Sequence, residues 1–133
     1  MSESNPRLFR LLLEVSELER AVTFYSELLG KTGQPVRGGR HYFDCGGVIV
    51  GLVDVSPAGR APRPITEYLY FAVPNLDVVY RRAASLGCLA NEQVHGAAAG
   101  DIVVRPWGER SFYVADPYGN RLCFVDDTTL FFG

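Results

Sequence analysis

The chain of 133 residues is 47% hydrophobic and 21% charged, which excludes a disordered polymer and fits one domain with a core of its own. Thirteen basic against fifteen acidic side chains leave a net charge of -2, and no basic run follows a phosphate backbone, so nucleic acid is not an expected partner. No apolar stretch reaches the length of a bilayer span and the opening MSESNP has no positively charged n-region, so a cytoplasmic protein with no membrane partner is expected.

A β-favouring apolar run over residues 8–15 is followed by a helix over about 17–29. Leu18, Ala21, Val22, Tyr25, Leu28 and Leu29 share one stripe of it. Ser16 and Glu19 have the spacing of a capping box, and Gly30 supplies a left-handed stop. Strands are expected over 34–37, 40–45 and 48–55. Residues 56–66 then carry Pro57, Gly59, Arg60, Pro62, Arg63 and Pro64, the composition of a stiff exposed linker. The second half repeats the plan: a strand over 67–73, a helix over 76–86 capped by Asn75 and stopped at Gly87, and strands over 91–94, 110–115 and 121–126. The turn Asp116-Pro117-Tyr118-Gly119-Asn120 joins the last two. Sliding the sequence by 58 positions lays Leu11, Leu13, Val15, Leu18, Glu19 and Leu28 on Leu69, Phe71, Val73, Leu76, Asp77 and Leu86, so the chain is an internal repeat. Cys45, Cys88 and Cys123 are odd in number and lack CxxC spacing, which points to reduced thiols. His41 and His95 are not spaced as a ligand pair.

This doubled pattern, with V-S-E-L-E-R-A-V-T-F-Y at 15–25 and D-P-Y-G-N at 116–120, resembles the vicinal oxygen chelate superfamily of glyoxalases, extradiol dioxygenases and bleomycin-resistance proteins. P-W-G-E-R-S-F at 106–112 is most similar to the bleomycin-resistance type. The resemblance implies a single α+β domain over 1–133, with two βαβββ modules (about 8–55 and 67–126) forming a U-shaped mixed sheet around a crevice. It locates the ligand places of the metal-using members at Arg10, Gly51, Tyr68 and Cys123. A cation, a residue without a side chain, a phenol and one thiol make a poor cage for a divalent ion, so the metal site is expected to be lost and no cofactor is expected.

Strand alternation places Arg10, Leu12, Glu14, Tyr68, Tyr70, Ala72, Arg121, Cys123 and Val125 on the crevice face, with Leu11, Leu13, Leu69, Phe71, Leu122 and Phe124 towards the helices. Trp107 and Tyr113 add aromatic surface at one rim. The expected occupant is a planar, partly apolar small molecule against Trp107, Tyr68 and Tyr70, with Arg10 or Arg110 for an anionic or carbonyl group. Three alternatives stay open. The rings also suit a closed core or a dimer interface. Cys123 is either an inert buried thiol or a nucleophile activated by Arg10 or Arg121. Arg10 and Glu14 are either a mutual salt bridge or ligand anchors. A metal-free binding protein is the first reading; a glyoxalase-related lyase, isomerase or dioxygenase-like enzyme using a metal, Glu14 or Tyr68 is the second. Open sheet edges and the apolar tail Leu130-Phe131-Phe132 predict a homodimer.

Overall fold

A computed structural model describes residues 4–133. Module one runs β1 (Arg10–Val15), α1 (Leu18–Leu29), β2 (Gln34–Val36), β3 (Arg40–Cys45) and β4 (Val48–Asp54). A 3-10 turn (Ser56–Ala58) leads to module two: β5 (Leu69–Val73), α2 (Leu76–Leu86), β6 (Gln93–Val94), β7 (Ala97–Ala98), β8 (Val103–Val104), β9 (Arg110–Ala115) and β10 (Arg121–Asp126). Each module builds one mixed four-stranded sheet, in the orders β1-β4-β3-β2 and β5-β10-β9-β8. The first strand of each pairs in parallel with the last, Leu12 beside Gly51 and Tyr70 beside Cys123, so the 58-residue repeat holds to the register.

The alternation of the strands has the expected consequence. Leu13, Leu122 and Phe124 are buried against the helices, with Leu11, Leu69 and Phe71 packed beside them. Tyr25, Leu28 and Phe43 of module one and Ala83, Phe112 and Val114 of module two join the same cluster, so the modules share one core. Each large apolar side chain buried there stabilises the fold by about 1.5–3 kcal/mol.

The two motifs that carry the family resemblance meet inside this core. Tyr25, the last residue of the first motif, donates its buried hydroxyl to Asp116 Oδ2 at 2.5 Å. Asp116 also accepts from the backbone N–H groups of Tyr118 and Asn120 and from the Asn120 side chain. Asn120 Oδ1 in turn accepts from Ile65 N–H at 2.9 Å. The turn is therefore a clamp joining the start of module two to α1, and burial among these groups raises the Tyr25 hydroxyl well above its ordinary pKa.

Two local expectations are corrected, the helix cap and one strand, and the linker gains an anchor. No Ser16–Glu19 capping box forms: α1 starts at Leu18 behind Glu17, which is left-handed (φ 52°) and makes no side-chain cap, whereas Asn75 does accept from Val78 N–H. The linker is exposed over most of its length and is pinned to β1, because Arg60 forks onto both Glu14 oxygens at 2.7 Å and Arg63 N–H donates to Glu14 Oε1. The expected edge strand over 91–94 is not in the main sheet. The outer edge of β9 is served in two pieces, by a bridge at Leu89 and by β8, while the segment between them forms the separate hairpin β6–β7.

Candidate functional site

The interrupted edge decides the character of module two's open face. Tyr70 on β5, Cys123 on β10 and Tyr113 on β9 form one row across three strands, with Ser111 opposite Val125 in the next. The segment that leaves the edge folds over this row: Ala90, Val94 and Ala99 pack on Tyr113, Cys123, Val125 and Tyr68. Ala99 and Ala90 are stitched to Tyr113 through its backbone N–H and C=O, at 2.8 and 3.0 Å. Tyr113 and Cys123 are consequently buried, while Tyr70 remains 56% exposed. Desolvation pushes the Cys123 thiol up to about 11 against the opposing pull of Ser111, Tyr113 and Arg105, so it is a protonated thiol at neutral pH rather than a nucleophile. Burial likewise raises Tyr113 well above the ordinary phenol range, with its row neighbours Cys123 and Tyr70 adding to the shift.

Beside that row lies a cavity of about 440 Å³ lined by Tyr70, Phe71, Ala72, Trp107, Glu109, Val125, Leu130 and Phe131. Trp107 is fixed on both sides. Its Nε1 donates to Glu109 Oε1 at 2.7 Å, and its ring stands edge-on to His95 with centroids 4.6 Å apart. The other Glu109 oxygen accepts from Phe131 N–H at 2.9 Å, which brings the apolar tail to the cavity wall. Tyr68 packs against Tyr113 (5.0 Å) and Tyr70 (6.4 Å). The structure thus brings together Tyr68, Tyr70, Trp107, Tyr113 and Cys123.

Arg10, Leu12 and Glu14 belong to module one's sheet and make a different surface. Arg10 lies over the rings of Phe9 and Tyr42 at 4.7 and 5.3 Å, and does not pair with Glu14. Glu14 belongs to the linker clamp, where the hydrogen bonds from Arg60 and Arg63 hold its carboxyl down to about 2. A carboxylate so held is a poor general base at neutral pH, which removes Glu14 as a tuned acid/base group. Arg110 is also engaged, by Asp77 at 3.2 Å and Asp126 at 3.4 Å, and so is not a free anion anchor. Arg121 pairs with Glu92. His41 is satisfied locally, its Nε2 2.8 Å from Thr32 O in the loop before β2.

The four ligand places do not fit a divalent ion. A Cβ built on Gly51 would lie 2.7 Å from Leu12 and 2.8 Å from Tyr42, so apolar packing already fills that place. Arg10 brings a positive charge and Cys123 a buried protonated thiol. Among the described residues, no three His, Cys, Asp or Glu side chains gather as a metal-holding group.

Sequence reasoning missed Arg105 and Glu109. Arg105 is 2% exposed and donates from Nε to Ser111 Oγ (2.9 Å) and from Nη2 to Ser111 O (3.0 Å), with its guanidinium 5.1 Å from the Tyr113 ring centre. Strand parity cannot find it, since it stands outside a strand, in the Arg105–Gly108 turn.

This frame of paired mixed sheets has known relatives. The family model described as the Glyoxalase/Bleomycin resistance protein/Dioxygenase superfamily matches residues 7–124, and the chain belongs to that superfamily. Among solved structures it is similar to a glyoxalase/bleomycin resistance protein from Albidiferax ferrireducens, at 20% identity and TM-score 0.71 over 90% of this chain and 98% of that one. It is also similar to a lactoylglutathione lyase from Agrobacterium tumefaciens (19%, TM-score 0.66, covering 98% and 100%). A third is TioX from a Micromonospora species (19%, TM-score 0.64, covering 92% and 99%). Likeness at this level of identity carries the fold and not the activity. Comparison with curated proteins returns no match. No helix among the described residues is long and apolar enough to cross a membrane.

Proposed function

We propose that the chain is a metal-free small-molecule-binding protein that holds a planar, partly apolar ligand on module two's open face, and that it works as a homodimer. The observation that carries this reading is the cavity walled by Tyr70, Trp107 and Phe131, in which Glu109 fixes the indole in one orientation. Its size falls within the range of small-molecule sites, and rigid rings give contact area for little lost rotamer freedom. The dimer is supported by the apolar surface left in water, with Leu8, Phe9 and Phe131 more than half exposed and Phe132 91% exposed.

Trp107 is the sole tryptophan, so its emission reports on the cavity directly. Titration with a panel of planar ligands, bleomycin-like glycopeptides first, is expected to quench or shift it saturably. Trp107→Leu is expected to weaken binding by about 1–3 kcal/mol with the fold intact. No response from any ligand, or unfolding of Trp107→Leu, would assign the ring to the core and end the proposal. Protein purified without a His-tag is expected to carry no stoichiometric Zn, Ni, Mn or Fe. About one equivalent with metal-dependent stabilisation would revive the enzyme reading.

A further inference from the structure

The ion pairs among the described residues run through Arg60, Arg110 and Arg121, and none of them reaches Glu109. The buried Arg105 spends its guanidinium on Ser111 Oγ, Ser111 O and Asp101 O instead. Glu109 is held by two neutral donors, the Trp107 indole N–H on Oε1 and the Phe131 backbone N–H on Oε2. Each carboxylate oxygen keeps a second lone pair for a further donor, and neutral donors leave the negative charge uncompensated.

This carboxylate stands in the wall of the aromatic cavity, and it is the only charged side chain among the described residues that line it. Around it are the rings of Tyr70, Phe71, Trp107 and Phe131. Neither Arg10 nor Arg110, the expected anion anchors, lines that wall. An indole N–H lies in the plane of its ring, so Glu109 stands at the edge of Trp107 and does not cover the ring face. A ring face is the negative part of the aromatic quadrupole, and several rings beside one carboxylate therefore attract a cation and disfavour an anion. The walls also select its kind. A compact metal ion would lose more hydration than one carboxylate restores, whereas a planar organic cation spreads its charge and buries apolar surface as well. We propose that the ligand of this site is a planar organic monocation, its ring held against Trp107 and Tyr70 and its positive end received by the Glu109 carboxylate. The inference rests on the aromatic-cavity reading above and adds the sign of the ligand's charge to it.

Benzamidinium, benzamide and benzoate are planar near-isosteres that are positive, neutral and negative at neutral pH, and each is titrated into the wild-type protein at constant ionic strength with Trp107 emission as the readout. Benzamidinium is expected to bind roughly tenfold tighter than benzamide or more, the margin of a charge-assisted pair, and benzoate more weakly than benzamide. Glu109→Gln keeps an acceptor for the indole and drops the charge, so the ratio of the benzamidinium and benzamide affinities is expected to fall below roughly threefold. Should that variant fail to fold or bind neither ligand, salt decides the matter in the wild-type protein. Raising it from about 20 mM to about 500 mM is expected to weaken benzamidinium severalfold more than benzamide. Equal binding of benzamidinium and benzamide, tighter binding of benzoate, a ratio that Glu109→Gln leaves intact, or equal salt dependence overturns the cation site and leaves the cavity reading standing. If none of the three ligands perturbs Trp107, the cavity reading fails and the cation site with it.

Discussion

Module one and module two share a frame and a register, yet their open faces differ in kind. In module one the connection from α1 to β3 is short and its edge strand β2 runs directly along β3, so this connection adds no cover to the face. Leu12 stays 40% exposed, Gly51 is closed over by Leu12 and Tyr42, and Glu14 is tied to the linker. In module two the corresponding connection spans residues 87–109. It interrupts the edge strand, folds over the Tyr70-Cys123-Tyr113 row and delivers Arg105, Trp107 and Glu109 to it. On the proposed reading, module one is scaffold and module two carries the site. The sheet is common to both, and the length of one connection makes the difference.

This division can be broken in graded ways. The largest effect is expected where both modules depend on one group. Asp116→Ala strips the partner from buried Tyr25, from Asn120 and from two backbone N–H groups, and is expected to cost about 3–5 kcal/mol in urea unfolding. Next comes a glycine pair that sets the two faces against each other. A Cβ on Gly100 would lie 2.2 Å from the Ala90 carbonyl oxygen, which is backbone in the cover of module two and cannot step aside, so Gly100→Ala is expected to cost about 2–3 kcal/mol and to blunt the Trp107 response. On Gly51 the atoms met are side-chain ends of Leu12 and Tyr42, so Gly51→Ala is expected to cost about 1 kcal/mol or less and to leave that response unchanged.

The smallest effect lies in the acid titration of module one's linker clamp. Arg60 and Arg63 hold Glu14 at about 2 against an ordinary value of 4.5. Because the folded value is the lower one, this stabilisation is complete above about pH 4.5 and is lost as pH falls towards 2. The urea midpoint of the wild-type protein is therefore expected to fall more steeply across that window than that of Glu14→Gln. Parallel curves would show that the clamp adds no stability.

The repeat, both helices, their glycine stops and the division of strand residues between core and open face were legible in the sequence, because spacing and alternation express them directly. The places of Tyr70 and Cys123 on one face were legible for the same reason, whereas Tyr113, expected only at a rim, stands in their row. What was not legible came from residues without periodicity. The 91–94 segment reads as a strand by composition but leaves the sheet, and its departure depends on where Ala99 and Leu89 find partners on β9. Partner choice among charges was equally hidden. Glu14 has Arg10 four residues away, yet its partner is Arg60, on the linker that packs back over it. Arg105 gave no signal because it is buried without standing on a strand.

Tyr70 and Leu12 occupy equivalent places in the two sheets, each beside the ligand place of its last strand, and the matched pair Tyr70→Ser and Leu12→Ser tests the central claim most directly. With the ligand that best perturbs Trp107, Tyr70→Ser is expected to weaken binding roughly tenfold or more, and Leu12→Ser to change it by no more than about twofold. Comparable losses in both variants would place the ligand between the two kinds of face and contradict a site built on module two alone.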